Sequence, residues 1–289
     1  MPKVCFCIPT IVEPYPEMLD ALERSIPLVK AAGWEEMSAW EVGHAYVSYA
    51  RALLLRKALN WGTDWIVFLD HDLAWRPAAL LDLLNTKGDV VAGTYRLKSP
   101  KEEYMGRLAM KPDGTPKQIR SDGCLLFNLV PAGFLKISAN AVEQFMERHP
   151  QLDFSRPGEA TQNHFDLFNH GVIDKVWWGE DYAFSLRWRS MGNPIWVIPN
   201  LDFWHYGTKP GGTRKCYPGN YHKWLLAQPD ELVAESVDVH PGSEEAPLPP
   251  KNSKDRGTFD VKPELEPHVP EAKENVYADE TTRYIPGSI

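Results

Sequence analysis

Short apolar runs alternate with longer segments of helical periodicity over the first 94 residues. The short runs predict β-strands, because they are bounded by turn residues and rich in β-branched or aromatic side chains. In the longer segments apolar residues recur three or four positions apart, as on one face of a helix. Strands are predicted over residues 4–8, 34–42, 65–69 and 89–94, and helices over residues 17–32, 47–59 and from residue 76 onward. This alternation predicts an α/β fold with a mostly parallel, Rossmann-like central sheet flanked by helices.

The pattern is less regular after residue 110 but continues to residue 227. Strands are predicted over residues 124–130, 134–137 and 195–198, and helices over residues 141–148 and 177–191. Residues 150–176 show no period and are expected to form an irregular loop that faces a substrate. A Gly-rich loop is expected over residues 208–215. We therefore expect one domain over residues 1–227.

Residues 228–289 differ in composition from the rest of the chain. They contain 9 of the 25 prolines, 14 acidic and 6 basic side chains, which leaves residues 1–227 with 25 of each charge. Such a Pro-rich, acidic segment is typical of an extended or partly disordered extension, and it is a candidate for contacts between copies of the chain. The neutral main domain carries no overall positive field, which makes a nucleic acid a less favoured partner.

Cysteine use and hydropathy indicate a cytoplasmic protein. The four cysteines lack the close pairing of a zinc site, and no disulfide framework is expected. The first residues lead directly into a strand, so no signal peptide is expected. No apolar run approaches the roughly 20 residues that are needed to cross a bilayer.

An acidic triplet, Asp70-His71-Asp72, follows the apolar run of residues 65–69. In an open α/β sheet, ligands bind at the carboxyl ends of the strands. Two carboxylates so close together need water or a cation between them. A hard divalent ion that is shared with substrate phosphates would satisfy them, and a solvated strand end is the alternative interpretation.

Two later motifs give this triplet a context. Gly179-Glu180-Asp181 begins a predicted helix, and His205-Tyr206-Gly207 follows a late strand. In this order the three motifs resemble those of the GT-A glycosyltransferases, especially the family-2-like group that uses nucleotide-diphosphate sugars. Ala50-Arg51 and the segment 93–98 are also similar to segments of such enzymes. The resemblance covers residues 3–224, although many relatives have Asn at the position of Ala52.

The resemblance implies a Mn²⁺ or Mg²⁺ site and a nucleotide-sugar pocket. Asp72 would bind the ion, Asp70 would contact the ion or the ribose, and His205 would complete the shell of the ion; an imidazole ligand favours Mn²⁺. The ion would neutralise the diphosphate leaving group. The residues implied in nucleotide-sugar binding are Pro9, Thr10, Arg51, Asp70, His71, Lys98, Lys209 and Arg214. Lys209, Arg214 and Lys215 would close over the phosphates.

The second motif would supply the base of an inverting transfer. Asp181 would take the proton of an acceptor hydroxyl, and Glu180 would hold the acceptor or share that role. Three tryptophans flank these motifs and are candidates for stacking on a sugar ring, namely Trp177, Trp178 and Trp204. The acceptor itself is unknown: a glycan, a small molecule or, as the less favoured partner, a nucleic acid.

Other interpretations remain open at this stage. His205 could be a hydrogen-bonded structural histidine, Glu180 and Asp181 could favour a helix N-terminus through the helix dipole, and residues 208–215 could form a solvated loop. A nucleotidyltransferase of related fold would share the sheet and the metal, but residues 9–14 lack the expected Gly-rich, basic loop. A glycoside hydrolase would need two carboxylates and no metal. A carbohydrate-binding or assembly protein on the same fold is the non-catalytic alternative.

Overall fold

The computed structural model describes residues 1–156, residue 158, residues 163–208 and residues 212–228. Apart from Gln228, the predicted C-terminal extension lies outside the described residues. The six helices of the described residues are α1 Pro16–Ala31, α2 Val47–Trp61, α3 Pro77–Asn85, α4 Ala139–Arg148, α5 Glu180–Ser190 and α6 Tyr221–Ala227. None of these helices is long and apolar enough to cross a membrane.

The strands of the described residues form one large sheet and three small ones. They are β1 Lys3–Thr10, β2 Glu35–Val42, β3 Trp65–Leu69, β4 Leu73–Trp75, β5 Val90–Gly93, β6 Arg107–Leu108, β7 Leu125–Leu129, β8 Phe134–Ser138, β9 Asp153–Ser155, β10 Asn163–Phe165, β11 Gly171–Ile173, β12 Val176–Trp178, β13 Ile195–Ile198, β14 Asp202–Thr208 and β15 Arg214–Asn220. Almost every strand and helix predicted before residue 200 is present within a few residues of its expected limits.

The central sheet has eight strands in the order β2-β1-β3-β8-β5-β13-β7-β6. The β1, β2 and β3 strands are parallel, and so are β5 and β13. The β8 strand runs antiparallel to both β3 and β5, and β7 runs antiparallel to both β13 and β6. Six of the eight strands therefore point the same way, which confirms the mostly parallel α/β fold.

The β3 strand lies in the middle of the core, and its alternate side chains face opposite sides of the sheet. Ile66 and Phe68 pack with residues of α2, α4 and α5. Val67 and Leu69 pack with residues of α1 and α3. Because both faces are covered, all four side chains are buried, and the polar residues that follow mark the point where the strand leaves the core.

A second sheet, in the order β15-β14-β4, was not predicted. The β4 strand begins directly after Asp72 and pairs with β14, so that Leu73 lies opposite His205. The backbone N–H of Tyr206 also donates a hydrogen bond of 2.8 Å to the carbonyl of Asp72. Arg214 and Lys215 lie in β15 and not in a loop, which corrects that expectation. This sheet positions His205 beside the acidic triplet.

The stretch predicted to be irregular, residues 150–176, contains local order. The β9 and β10 strands form one antiparallel pair, and β11 and β12 form another. Asp174 and Lys175, which join β11 to β12, both have positive φ, 50° and 67°. Such two-residue turns with positive φ are favoured between antiparallel strands, but this one lacks the glycine that marks them in a sequence.

Candidate functional site

The acidic triplet forms a tight turn between β3 and β4. The backbone N–H of Asp70 donates to the carbonyl of Gly133 at 3.0 Å, and the N–H of Leu73 donates to the carbonyl of Asp70 at 3.3 Å. The turn therefore gives the side chains of Asp70 and Asp72 different partners.

The Asp70 carboxylate is held from two sides. Its Oδ1 accepts a hydrogen bond of 2.9 Å from the Arg51 guanidinium, and its Oδ2 accepts one of 3.2 Å from the Tyr95 hydroxyl. The same hydroxyl accepts a 3.2 Å hydrogen bond from the backbone N–H of Gly133. A side chain at position 133 would overlap both groups, since a Cβ there would lie 2.6 Å from Cγ of Asp70. Only glycine fits this arrangement.

Arg51 connects the first motif to the second. Its guanidinium donates to Asp70 and, at 2.9 Å, to Oε1 of Glu180 at the start of α5. Arg51 is only 3% exposed, and its guanidinium carbon lies 5.1 Å from the centroid of the Phe168 ring. Burial would lower the pKa of this guanidinium, but the charges of Asp70 and Glu180 raise it. Arg51 is therefore a buried, permanently charged bridge between two motif carboxylates.

The second carboxylate of the triplet meets the third motif. His205 Nε2 lies 3.7 Å from Oδ1 of Asp72, and His205 Nδ1 lies 2.8 Å from the carbonyl oxygen of Arg96. A carbonyl only accepts hydrogen bonds, so Nδ1 carries a hydrogen and the lone pair of a neutral ring lies on Nε2, toward Asp72. Lys98 donates to Oδ2 of the same carboxylate.

The surroundings of Asp72 favour its ionised form. Burial by itself would raise the pKa of Asp72, but the neighbouring His205 and the charge of Lys98 hold it well below its usual range. The residue is thus an anion at any physiological pH. An anionic oxygen and an imidazole lone pair that face each other form a donor set that suits a divalent cation.

Among the residues that the structure describes, Asp72 and His205 are the two such donors at this site. Within residues 1–156, 163–208 and 212–228, no group of three His, Cys, Asp or Glu side chains is arranged to hold a metal ion. Both oxygens of Asp70 already accept hydrogen bonds from Arg51 and Tyr95. Asp72 and His205 fit an ion that takes its remaining ligands from water and substrate phosphates, as Mg²⁺ commonly does.

The second motif lies at the N-terminus of α5. Asp181 is half-buried, and its Oδ1 accepts a 2.8 Å hydrogen bond from the backbone N–H of Tyr182. Burial, and then the negative charge of Glu180, raise the pKa of Asp181 to about 7, although Arg51 acts in the opposite direction. A carboxyl group with this pKa can gain and lose a proton near neutral pH, as a general base must.

The hydroxyl of Tyr95 lies within electrostatic reach of all three aspartates. Burial raises the pKa of Tyr95 well above its ordinary value, and the charges of Asp70, Asp181 and Asp72 raise it further. The ring of Tyr95 also packs edge-on against His205, with centroids 5.0 Å apart. Sequence reasoning did not single out Tyr95, although it lies in the segment 93–98 that the family resemblance includes.

The remaining residues of the predicted nucleotide pocket lie in several places. Pro9 and Thr10 are buried at the end of β1, where the Thr10 hydroxyl donates to the carbonyl of Val12. The half-buried His71 packs against the ring of Tyr15, with centroids 6.1 Å apart. Lys209 lies outside the described residues.

The cationic residues of the predicted lid have local partners. Arg214 forms an ion pair with Glu17 at the start of α1 and lies 5.1 Å from the ring of Tyr15. Lys215 lies 4.5 Å from the ring of Tyr217, its neighbour along β15. The phosphate-binding role of Arg214 and Lys215 stays a prediction.

The three candidate stacking residues differ in exposure. Trp177 is 68% exposed, on the hairpin formed by β11 and β12. Trp178, the next residue, is half-buried and directly precedes the Gly179 motif. Trp204 is half-buried in β14, opposite Ala74, and packs against the apolar core. Of the three, Trp177 is the best placed to bind a ligand from solvent.

The sequence matches no protein-family model and no curated protein.

Solved structures match it at low identity. A protein from STIV is 18% identical over 75% of this chain and 94% of its own, with a TM-score of 0.40. A Drosophila β-1,4-galactosyltransferase 7, determined with manganese, UDP-Gal and xylobiose, is 16% identical over 81% of this chain and 79% of its own, with a TM-score of 0.38. The Staphylococcus aureus protein TarS with UDP-GlcNAc is 12% identical over 74% of this chain and 60% of its own, with a TM-score of 0.39. Glycosyltransferases are thus among the solved structures that this chain resembles.

Proposed function

We propose that this chain is a metal-dependent glycosyltransferase that moves a sugar from a nucleotide-diphosphate donor to a hydroxyl acceptor. The observation that carries the proposal is the meeting of three motifs that lie far apart in the sequence. Arg51 binds both Asp70 and Glu180, and His205 lies 3.7 Å from Asp72. Motifs without a common function would not be expected to contact one another or to share a partner such as Arg51.

The donor side of the site is built around Asp72. In the proposal, Asp72 and His205 hold Mn²⁺ or Mg²⁺, and the carbonyl of Arg96 fixes the imidazole with Nε2 toward the ion. When bound, the ion supplies Lewis-acid neutralisation of the diphosphate leaving group. Lys98 forms an ion pair with Asp72, and in the proposal its side chain turns to form an ion pair with a substrate phosphate instead. Asp70 is held in place by its hydrogen bonds with Arg51 and Tyr95.

The acceptor side is built around Asp181. As its pKa is about 7, a large fraction of this carboxylate is ionised at neutral pH, and it would take the proton of the attacking hydroxyl. Arg51 holds Glu180 in place, and Glu180 in turn helps to keep the pKa of Asp181 high. Direct attack by the deprotonated hydroxyl would invert the anomeric carbon.

The test is hydrolysis of a panel of nucleotide sugars with Mn²⁺, with Mg²⁺ and with EDTA. Slow hydrolysis of one donor is expected in the presence of metal, with at least a 100-fold loss in Asp72→Ala and in His205→Ala. Asp113→Ala is the matched control, because Asp113 is exposed and bonds only to Thr115. Some transferases hydrolyse their donor only slowly without an acceptor, so nucleotide binding is measured by calorimetry in parallel.

Two results would point to the alternatives. If neither donor hydrolysis nor metal-dependent nucleotide binding is found, the proposal fails, and a non-catalytic carbohydrate-binding or assembly protein takes its place. If the protein instead releases pyrophosphate from a nucleoside triphosphate and a sugar phosphate, it is a nucleotidyltransferase.

A further inference from the structure

Three aromatic rings form a row on the surface beside the second motif. Tyr46 precedes α2, His170 precedes β11, and Trp177 lies in β12. The rings of Tyr46 and His170 are stacked at 6.3 Å with 20° between their planes, and those of His170 and Trp177 are 5.9 Å apart. We call these three residues the aromatic row.

The two outer rings of the row are exposed, and His170 between them is half-buried. Tyr46 is 67% exposed and Trp177 is 68% exposed. Val172, which pairs with Trp177 across the hairpin and therefore lies on the same face of it, is 67% exposed. Large rings are usually buried, and a contiguous exposed group of them marks a binding surface more often than an isolated exposed residue does.

The row is also held in place. The hydroxyl of Ser48, in the first turn of α2, is 3.2 Å from Nδ1 of His170. This contact joins the helix to the hairpin and fixes the middle ring between the outer two. A preformed surface of this kind loses little conformational entropy when it binds a ligand.

Both ends of the row lead to the proposed acceptor site. Trp177 lies three residues before Glu180, so the two Cα atoms are at most about 11 Å apart. Tyr46 lies about one and a half helical turns before Arg51, whose guanidinium binds Glu180 at 2.9 Å. An elongated ligand on the row would therefore lie close to Glu180 and Asp181.

The chemistry of the row matches a carbohydrate. Each ring combines a flat apolar face with a polar atom at its edge, namely the Tyr46 hydroxyl, an imidazole nitrogen of His170 and the indole N–H of Trp177. Sugars present apolar C–H faces between hydroxyl groups, so they can stack on such faces while hydrogen-bonding to such edges. Asp174 and Lys175, in the turn of the hairpin, carry opposite charges, so they give the hairpin no net charge to attract an ionic ligand.

We propose that the aromatic row binds a neutral oligosaccharide, which is the acceptor of the transfer. That the oligosaccharide is the acceptor rests on the proposed function, whereas its binding to the row does not require turnover. Because successive rings are spaced on the scale of one sugar unit, a chain of several sugars occupies the row and binds more tightly than a disaccharide.

The experiment measures direct binding of cello-, xylo-, manno- and chito-tetraose, with the matching disaccharides, by tryptophan fluorescence and by ligand-observed NMR. At least one tetraose is expected to bind the full chain, at least fivefold more tightly than its disaccharide. Trp177→Ala and Tyr46→Ala are expected to weaken this binding at least tenfold, and Trp177→Phe is expected to restore part of it. Ile119→Ala is the control, since this residue is 61% exposed and lies outside the row.

The outcomes separate the two proposals. The inference is overturned if no tetraose binds the full chain, or if Trp177→Ala and Tyr46→Ala bind a tetraose as tightly as the wild-type chain does. Donor hydrolysis by the wild-type chain, measured in the same preparation, tests the proposed function independently. Tetraose binding with neither donor turnover nor metal-dependent nucleotide binding would leave the row as a carbohydrate site and remove the transferase assignment. Circular dichroism of each variant shows whether it is folded.

Discussion

The Tyr95 hydroxyl donates a 3.2 Å hydrogen bond to Oδ2 of Asp70, across 25 residues of sequence. It also accepts a hydrogen bond from the backbone N–H of Gly133. Asp70 has no other partner on that oxygen among the described hydrogen bonds. Tyr95 is thus a positioning residue for the acidic triplet.

The first prediction concerns Tyr95→Phe. The change keeps the ring but leaves the buried N–H of Gly133 without its acceptor, which should cost about 1–3 kcal/mol of unfolding free energy. The change also removes one of the two hydrogen-bond donors that hold the Asp70 carboxylate. We therefore expect kcat for the donor to fall by a larger factor than KM changes. Urea denaturation and steady-state kinetics measure the two effects. Tyr15→Phe is the control for stability, because the Tyr15 hydroxyl forms an exposed hydrogen bond of 3.0 Å with the Thr208 hydroxyl, and its loss should cost less than about 0.5 kcal/mol.

The second prediction concerns the glycine beneath Asp70. In Gly133→Ala, the added methyl group would overlap the Tyr95 hydroxyl and the Asp70 carboxylate, so one of them must move. We expect a loss of about 1–3 kcal/mol in stability together with loss of donor hydrolysis. Gly179→Ala provides the comparison, because its new methyl group meets nothing closer than 3.7 Å. Equal stability of the two variants, measured by thermal denaturation, would contradict this account.

The third prediction follows from the raised pKa of Asp181. A base must be ionised, so the pH dependence of the transfer rate should rise with pH through a midpoint near 7. Glu180→Gln removes the neighbouring negative charge that helps to raise this pKa, and the midpoint should move to lower pH. Arg51→Met removes a positive charge that lowers the pKa of Asp181, so the midpoint should move to higher pH. Rates for both variants from pH 5 to 9 would test the two directions, and a midpoint that does not move would refute the assignment of Asp181.

The fourth prediction concerns Lys98, whose ammonium group bonds to the Asp72 carboxylate. A lysine charge at about 4 Å from a cation repels it by about 1 kcal/mol per unit charge even in water. Lys98→Met should therefore bind Mn²⁺ severalfold more tightly when no nucleotide is present. The same variant should bind the nucleoside diphosphate less tightly in the presence of metal, because one phosphate partner is lost. Calorimetry measures both, and Lys101→Met, which removes an exposed lysine paired with Glu103, should change neither.

Local pattern was sufficient for most elements of the fold. The strand of residues 65–69 and the helices that flank it were predictable because their apolar residues follow the period of the element they form. The strands β4 and β14 were missed, because the three apolar residues of β4 are too few to show a period and the seven residues of β14 mix polar and aromatic side chains. The pairing of β4 with β14 was the more important omission, since it places His205 beside Asp72.

The sequence by itself determined the order of most of the strands and helices before residue 200, the position of Asp70 and Asp72 at the end of a buried strand, and the presence of three motifs in a familiar order. Only the tertiary structure decided which of these residues meet. Arg51 is buried between two carboxylates, Tyr95 supports Asp70, and three rings from separate parts of the chain stand in one row. The reason is physical: periodicity reports which face of an element is apolar, whereas a contact between residues far apart in the chain depends on strand register and helix packing, which no local pattern records.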